Sequence, residues 1–154
     1  MIDVEVEGGD WARRLPGAEA LARQAALAAL AALPPRQGSL AILLTDDAAV
    51  RALNARFRGQ DKPTNVLSFP APANPEHHLG DVALAFGVCA AEAHDQGKTL
   101  QAHLQHLVAH GVLHLVGYDH MSESEAQAME DLERAILAGL GIADPYAAPQ
   151  GDHG

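Results

Sequence analysis

The chain has a single cysteine, Cys89, and one thiol cannot form a disulfide within the molecule. This count is consistent with a reducing cytoplasm, where disulfides are rare. Because Cys89 lies in an apolar segment, we predict a small core residue, with a catalytic thiol as the minor alternative.

Long apolar runs are also missing from the sequence. No stretch approaches the roughly 18 apolar residues of a transmembrane helix. The N-terminus is acidic, unlike the basic and apolar start of a signal peptide. The longest stretch rich in Ala and Leu, Ala18 to Leu33, is broken by charged side chains and predicts an amphipathic helix. We therefore expect a cytoplasmic protein without a membrane partner.

Positive charge is scarce, because 10 Lys and Arg stand against 20 Asp and Glu, for a net charge of −10. This balance argues against a general nucleic-acid binder, which normally has a basic surface. Four of the cations nevertheless fall close together: Arg51, Arg56, Arg58 and Lys62. Such a basic strip can guide a phosphate to one place, although a solvated helix face explains Arg51 and Arg56 equally well.

The most informative feature that is present is a group of three histidines, His110, His114 and His120. The first two stand four residues apart in an apolar stretch that predicts a helix, so their imidazoles share one face. Gly117 then lets the chain turn, and His120 can return toward the other two. Three imidazoles without a fourth protein ligand predict a divalent metal site with an open position, which is typical of catalytic zinc.

This spacing matches the long zincin motif H-E-x-x-H-x-x-G-x-x-H, except that Gly111 replaces the catalytic Glu. Without that Glu, peptide hydrolysis lacks the general base that takes a proton from the metal-bound water. Glycine inside a helix costs about 1 kcal/mol relative to Ala, and either close packing or room for a substrate would compensate. Three buried, hydrogen-bonded histidines at a helix end are the structural alternative.

Three separated blocks resemble one known family, the bacterial YbeY proteins. The histidine segment is similar to the family signature H-G-x-L-H-L-x-G-Y-D-H. Asn54–Pro70 is similar to N-x-x-[FY]-R-G followed by P-T-[DN]-V-L-S-F-P, and Leu79–Val82 is similar to the family's L-G-D-[IV] strand. Asp144-Pro145-Tyr146 also matches the usual ending of the family. The blocks keep the family's order over most of the chain.

The resemblance implies a single-strand-specific, metal-dependent endoribonuclease that acts in rRNA processing and ribosome maturation, with ribosome quality control as a further option. The expected partners are single-stranded RNA, including rRNA, and the ribosome or ribosomal proteins; DNA is not expected. The expected cofactor is one Zn²⁺ per chain, held by His110, His114 and His120, which supplies hydroxide without a protein base. The resemblance also implies that Arg58 contacts the scissile phosphate.

Further residues are candidates for lining the cleft or fastening its walls, and the sequence does not separate these roles: Asn65, Ser68, Asp81 and Asp119. Asp119 could orient an imidazole through the ring N–H, or it could cap the turn after Gly117. His103 and His106 lie on the predicted metal helix. One of them could support a metal ligand or contact the metal weakly, but we expect satisfied histidines near a polar cleft there. Two other functions stay open, a metal-dependent hydrolase of another bond, such as a peptidase with a different carboxylate, and a ribosome-assembly factor with a structural metal.

The predicted fold is a single α+β domain over residues 1–154, with about 147–154 as a flexible tail. Strands are predicted at Ile2–Glu7, Leu40–Leu44, Asn65–Phe69 and Leu79–Phe86, in a mixed sheet packed with five to six helices. Thr45 is expected to cap a helix that carries Val50, Leu53 and Phe57 on its inner face. A central helix from about Thr99 should end at the metal site, and Ser122 should begin a last helix with a capping box.

Overall fold

The structure is a computed structural model that describes residues 2–34, 38–118 and 122–146. Its strands are β1 (Ile2–Val6), β2 (Ser39–Thr45), β3 (Val66–Pro70) and β4 (His78–Ala85). Its helices are α1 (Trp11–Arg14), α2 (Ala18–Ala31), α3 (Asp47–Arg58), α4 (Phe86–Asp95), α5 (Leu100–Leu115) and α6 (Glu123–Gly139). The predicted α+β fold with four strands is confirmed, whereas the predicted tail, 147–154, lies outside the described residues.

The strands form one mixed sheet in the order β1-β2-β4-β3. Strands β1 and β4 run parallel to β2, and β3 runs antiparallel to β4 at the edge of the sheet. Side chains alternate between the two faces of a strand. Val82 and Leu84 of β4 accordingly pack in the main core with α2 and α5, whereas Ala83 and Ala85 pack in a second cluster with Val50 of α3.

Helix α5 crosses the middle of the main core and positions the site. It begins where the Thr99 side chain accepts a hydrogen bond from the backbone N–H of Ala102 at 3.0 Å. Its neighbour α2 presents a buried face made entirely of alanine, and these small side chains let the two helices approach closely. Most of α5 is buried, including Leu104, Val108 and Val112. The histidine segment is therefore carried on the most enclosed helix of the domain, which holds its backbone firmly.

Two local predictions about α3 are wrong. The N-cap is Asp46, whose Oδ1 accepts from the Ala49 N–H at 2.8 Å, because Thr45 still belongs to strand β2. Phe57 is 58% exposed, whereas Val50 is fully buried against the sheet as predicted. The Phe57 ring instead meets Phe69 of the edge strand, with 5.5 Å between ring centres.

Cys89 is buried in the main core, as predicted. Burial, together with the nearby Glu92 and Asp47 carboxylates, raises the pKa of its thiol well above the usual range. A protonated, enclosed thiol is a poor nucleophile, so this residue is structural.

No helix within the described ranges has the length and apolar character needed to cross a membrane.

Candidate metal centre and cleft

Helix α5 places His110 and His114 one turn apart on the wall of a cavity of about 590 Å³. The Nε2 atoms of the two rings are 3.1 Å apart. Two nitrogen ligands of a tetrahedral zinc ion, each bonded at 2.0–2.1 Å, lie about 3.3 Å from one another. The spacing and the donor atoms of this pair therefore fit a shared metal ion.

The third predicted ligand, His120, and the neighbouring Asp119 lie outside the described residues. Within 2–34, 38–118 and 122–146, no group of three His, Cys, Asp or Glu side chains is placed to hold a metal ion. The structure thus brings two of the three predicted ligands together, and the third stays a prediction.

The second ring nitrogen of His110 faces a carboxylate from α6. His110 Nδ1 is 3.2 Å from Glu133 Oε2, and Glu133 Oε1 lies 2.6 Å from His106 Nε2 and 2.7 Å from the Tyr146 hydroxyl. Burial raises the pKa of Glu133, but these hydrogen bonds outweigh burial and lower the pKa to about 2. Glu133 is therefore ionised at neutral pH, and its carboxylate can only accept hydrogen bonds.

Sequence reasoning missed Glu133, although α6 contains a signal for it. Met129, Ile136 and Leu137 are the buried apolar residues of this helix, and Glu133 occupies the same stripe at helical spacing. A carboxylate on the buried face of a helix requires partners, because an unpaired buried charge is strongly destabilising. Its position in that stripe indicates a buried polar site.

The prediction of satisfied histidines holds only in part, because the buried Nδ1 atoms of His103 and His106 have no hydrogen-bond partner among the described residues. His103 Nε2 lies 2.8 Å from Glu92 Oε1, and His106 Nε2 lies against Glu133. Both histidines point their Nε2 atoms at carboxylates rather than at the space between His110 and His114.

Arg58, the last residue of α3, reaches the same cavity across the edge strand. Its Nη2 donates to the backbone carbonyl of Ser68, and its Cζ lies 5.6 Å from the centre of the Phe69 ring. Among the described residues that line the cavity, Arg58 is the one with a permanent charge. The cavity thus combines two imidazoles with a single guanidinium.

Asn65 and Ser68 line this cavity and also fasten its walls. The Ser68 hydroxyl donates to the Gly111 carbonyl at 3.2 Å, which ties β3 to α5. Asn65 Nδ2 donates to Glu92 at 3.0 Å, which ties the start of β3 to α4. Both residues thus line the cavity and hydrogen-bond across its walls, and any contact with a substrate stays a prediction.

Asp81 is not brought to the cavity. It lines a separate groove on the other face of the sheet, together with Ala83 and Leu43, and it lies 3.1 Å from His78 Nε2. Strand alternation explains this placement, because the next residue, Val82, faces α5.

Gly111 marks the closest approach of α5 to the sheet. A Cβ atom at this position would lie 2.8 Å from Val82 Cγ1 and 3.2 Å from Ser68 Oγ. Close packing is therefore the reason for the glycine, and a side chain at position 111 would point at the sheet.

Comparison with known proteins identifies the family. The family model described as Endoribonuclease YbeY matches residues 14–141. The chain is 54% identical over 155 residues to the Endoribonuclease YbeY of Paramagnetospirillum magneticum (strain ATCC 700264 / AMB-1), covering 94% of both chains. It is 51% identical over 151 residues to that of Chelativorans sp. (strain BNC1), covering 95% of this chain and 93% of the relative.

The fold is also similar to a solved structure. The solution structure of TM1509 from Thermotoga maritima matches with a TM-score of 0.58 at 24% identity, covering 96% of this chain and 99% of that one. With a family match over most of its length and relatives above half identity, this chain belongs to the YbeY family.

Proposed function

We propose that this protein is a single-strand-specific, metal-dependent endoribonuclease that acts in rRNA maturation. The relatives and the matching family model carry the name endoribonuclease. The observation that carries the proposal is the pair of Nε2 atoms, 3.1 Å apart, on the wall of a cavity that also contains Arg58. One cavity thereby offers nitrogen ligands for a metal and a planar cation suited to phosphate oxygens.

His110 and His114, with His120 as the predicted third ligand, would hold Zn²⁺. A bound zinc ion would supply the Lewis acidity that makes water a usable nucleophile near neutral pH. Arg58 would bind oxygens of the scissile phosphate and offset the negative charge that develops in the transition state. Its hydrogen bond to the Ser68 carbonyl occupies one of five guanidinium N–H groups and fixes the direction of the others.

The substrate class follows from the position of the site and from the charge of the protein. The two imidazoles lie on a cavity wall beneath the Arg58 rim, and an unpaired strand can place a phosphate there more readily than a duplex. A net charge of −10 disfavours broad contact with a polyanion, so binding would concentrate at the cavity. The assignment to rRNA and to ribosomal partners rests on the family resemblance. The expected cytoplasmic location rests on the single cysteine and on the lack of long apolar runs.

The peptidase alternative has less support from the site. None of the described residues that line the cavity carries a carboxylate that could replace the missing general base. Position 111 faces Val82 and the sheet, so the zincin arrangement is not available there either.

Metal analysis with a chelator experiment tests the proposal. The purified protein should carry about one equivalent of zinc per chain, measured by mass spectrometry of the metal. Removing that metal should abolish cleavage of a single-stranded RNA, and adding zinc back should restore it. The same RNA in a duplex should resist cleavage, and casein with zinc should not be digested. Cleavage that persists without metal, or digestion of casein but not of RNA, would overturn the proposal.

Arg58→Ala should reduce single-turnover cleavage roughly 10- to 100-fold, because a hydrogen bond to a charged group is worth about 1.5–3 kcal/mol. Metal content and melting temperature should stay at wild-type values, because the Arg58 side chain lies on the exposed rim. Arg58→Lys should recover only part of the loss, since Lys keeps the charge but not the planar fork.

Arg56→Ala is the matched control for this substitution. Arg56 lies on the same helix, with its guanidinium 5.1 Å from the centre of the Phe57 ring, and it does not line the cavity. Its loss should change cleavage by less than about threefold, as expected for an exposed charge. Equal losses in the two variants would point to general steering and would remove the proposed phosphate contact.

A further inference from the structure

We infer that Glu133 is a positioning residue of the metal site. It holds the His110 ring so that Nε2 is presented to the metal, and His106 and Tyr146 hold Glu133 in turn. The inference deepens the proposed function and rests on it, since it concerns the metal that His110 and His114 would share.

The geometry of the Glu133 carboxylate supports this role. The Glu133 side chain is 1% exposed, and its two oxygens are divided between two tasks. Oε2 meets His110 Nδ1 at 3.2 Å, while Oε1 meets His106 Nε2 at 2.6 Å and the Tyr146 hydroxyl at 2.7 Å. One oxygen therefore orients the predicted ligand, and the other anchors the carboxylate to α5 and to the segment after α6.

The same geometry imposes one tautomer on His110. Glu133 Oε2 lies 3.2 Å from His110 Nδ1 and accepts the hydrogen bond, which places a proton on Nδ1. A neutral imidazole has one N–H, and its Nε2 then carries the lone pair that a metal needs. Metal-bound histidines generally donate their other N–H to a carboxylate, a carbonyl or water, which fixes the ring and raises its basicity.

His106 acts as a donor to Glu133 rather than as a metal ligand. Its Nδ1 is buried and has no hydrogen-bond partner among the described residues. The one proton of a neutral His106 ring therefore belongs on Nε2, where the Glu133 carboxylate accepts it. This assignment gives a role to a histidine that the sequence places one turn before the first predicted ligand.

Tyr146, which lies beyond the end of α6, also holds the Glu133 carboxylate. Burial and the hydrogen bond to Glu133 raise the pKa of its hydroxyl, so the hydroxyl stays protonated and donates. The centre of the Tyr146 ring lies 5.5 Å from the centre of the His106 ring. Arg134 Cζ lies 5.3 Å from the centre of the Tyr146 ring. The segment after α6 is thereby tied to the site through one hydroxyl group.

Glu133→Gln is the decisive variant, with Glu130→Gln as its matched control. Glu130 is on the same helix and lies 3.7 Å from Arg134 rather than against His110. Its substitution by Gln therefore removes the same charge without removing a partner of His110. Zinc affinity is measured by competition with a colorimetric chelator. Glu133→Gln should bind zinc roughly 10- to 100-fold more weakly, the usual loss for an outer partner of a metal ligand. Glu130→Gln should bind zinc like the wild type, and Tyr146→Phe should show a smaller loss in the same direction as Glu133→Gln.

A spectroscopic measurement on the metal-free protein adds a readout that a merely structural role would not change. The nitrogen chemical shifts of the His110 ring should report the Nδ1–H tautomer in the wild type and in Glu130→Gln. Glu133→Gln should shift the ring toward a mixture of tautomers. Tyr146→Phe removes only a hydroxyl from a partly exposed side chain, and it supplies the test if Glu133→Gln fails to fold.

The positioning role of Glu133 and the proposed function can be contradicted separately. Wild-type zinc affinity with an unchanged His110 tautomer in Glu133→Gln would overturn the positioning role, even if the wild type cleaves RNA with zinc. If the wild type bound no metal, the proposed function would fall. The tautomer of His110 in the metal-free variants would then still decide whether Glu133 sets that ring.

Discussion

His114→Ala should abolish cleavage of single-stranded RNA while leaving a folded protein. Even an outer hydrogen bond to a metal ligand is worth roughly 10- to 100-fold in metal affinity or activity, so losing a ligand should cost at least that much. His114 sits near the C-terminal end of α5, half-buried on the cavity wall, and its Nε2 is the atom that pairs with His110 Nε2. Removing it leaves the apolar core of α5 in place.

The experiment compares single-turnover cleavage, zinc content and melting temperature in His114→Ala with those in His94→Ala. His94 is an exposed histidine near the end of α4, so its removal should leave all three quantities unchanged. Wild-type cleavage by His114→Ala would exclude a catalytic metal centre that uses His114 as a ligand.

The same variant separates an enzyme from an assembly factor with a structural metal. If the metal mainly holds the fold together, His114→Ala should lower the melting temperature together with the zinc content. If the metal serves catalysis, the fold and any association with ribosomes should survive while cleavage is lost. We expect the second result, because α5 is buried along most of its length by apolar contacts that need no ion.

The metal helix could be predicted from the sequence because its evidence is local. A spacing of four residues places His110 and His114 on one face of any helix, whatever surrounds it. The sheet could be predicted for the same reason, since β1 alternates apolar and acidic residues and β2 is a short apolar run. The partner of His110 could not be predicted from local sequence, because Glu133 lies on another helix. The contact depends on how α5 and α6 pack.

The errors in the prediction have the same origin. Phe57 follows the helical stripe of Val50 and Leu53, but near the end of α3 it meets the edge of the sheet rather than its centre, and it remains exposed. Asp81 lies in one of the sequence blocks that resemble the family. Strand alternation nevertheless places its side chain on the opposite face of the sheet from Val82. The orientation of Asp81 could be predicted from the alternation of side chains along β4. Val82 and Leu84 are the apolar residues that face the main core, so Asp81 must face the other side.

Gly111→Ala should destabilise the protein slightly, and Gly111→Glu should destabilise it severely. The added Cβ would lie 2.8 Å from Val82 Cγ1, and forced packing of this kind costs about 1–3 kcal/mol. For Ala, the higher helix propensity offsets about 1 kcal/mol of the packing penalty. For Glu, a carboxylate pushed against the sheet adds roughly 3 kcal/mol or more as an unpaired buried charge.

Gly139→Ala is the matched control. Among the described residues, no heavy atom beyond its chain neighbours and its own helix backbone lies within 4 Å of a Cβ built there. It should leave the free energy of unfolding unchanged or raise it by up to about 1 kcal/mol. Urea unfolding followed by circular dichroism gives the three free energies on one scale. The order should be Gly139→Ala at or above the wild type, then Gly111→Ala, then Gly111→Glu.

Gly111→Glu also completes the zincin motif, and it should nevertheless show no digestion of casein in the presence of zinc. The new carboxylate would start from a Cβ that faces Val82 and Ser68 rather than the space beside the His110 and His114 Nε2 atoms. A general base must lie within hydrogen-bonding reach of the proton it takes, and this one would not. A stable Gly111→Glu protein with proteolytic activity would mean that α5 can move away from the sheet and that packing does not determine the choice of glycine.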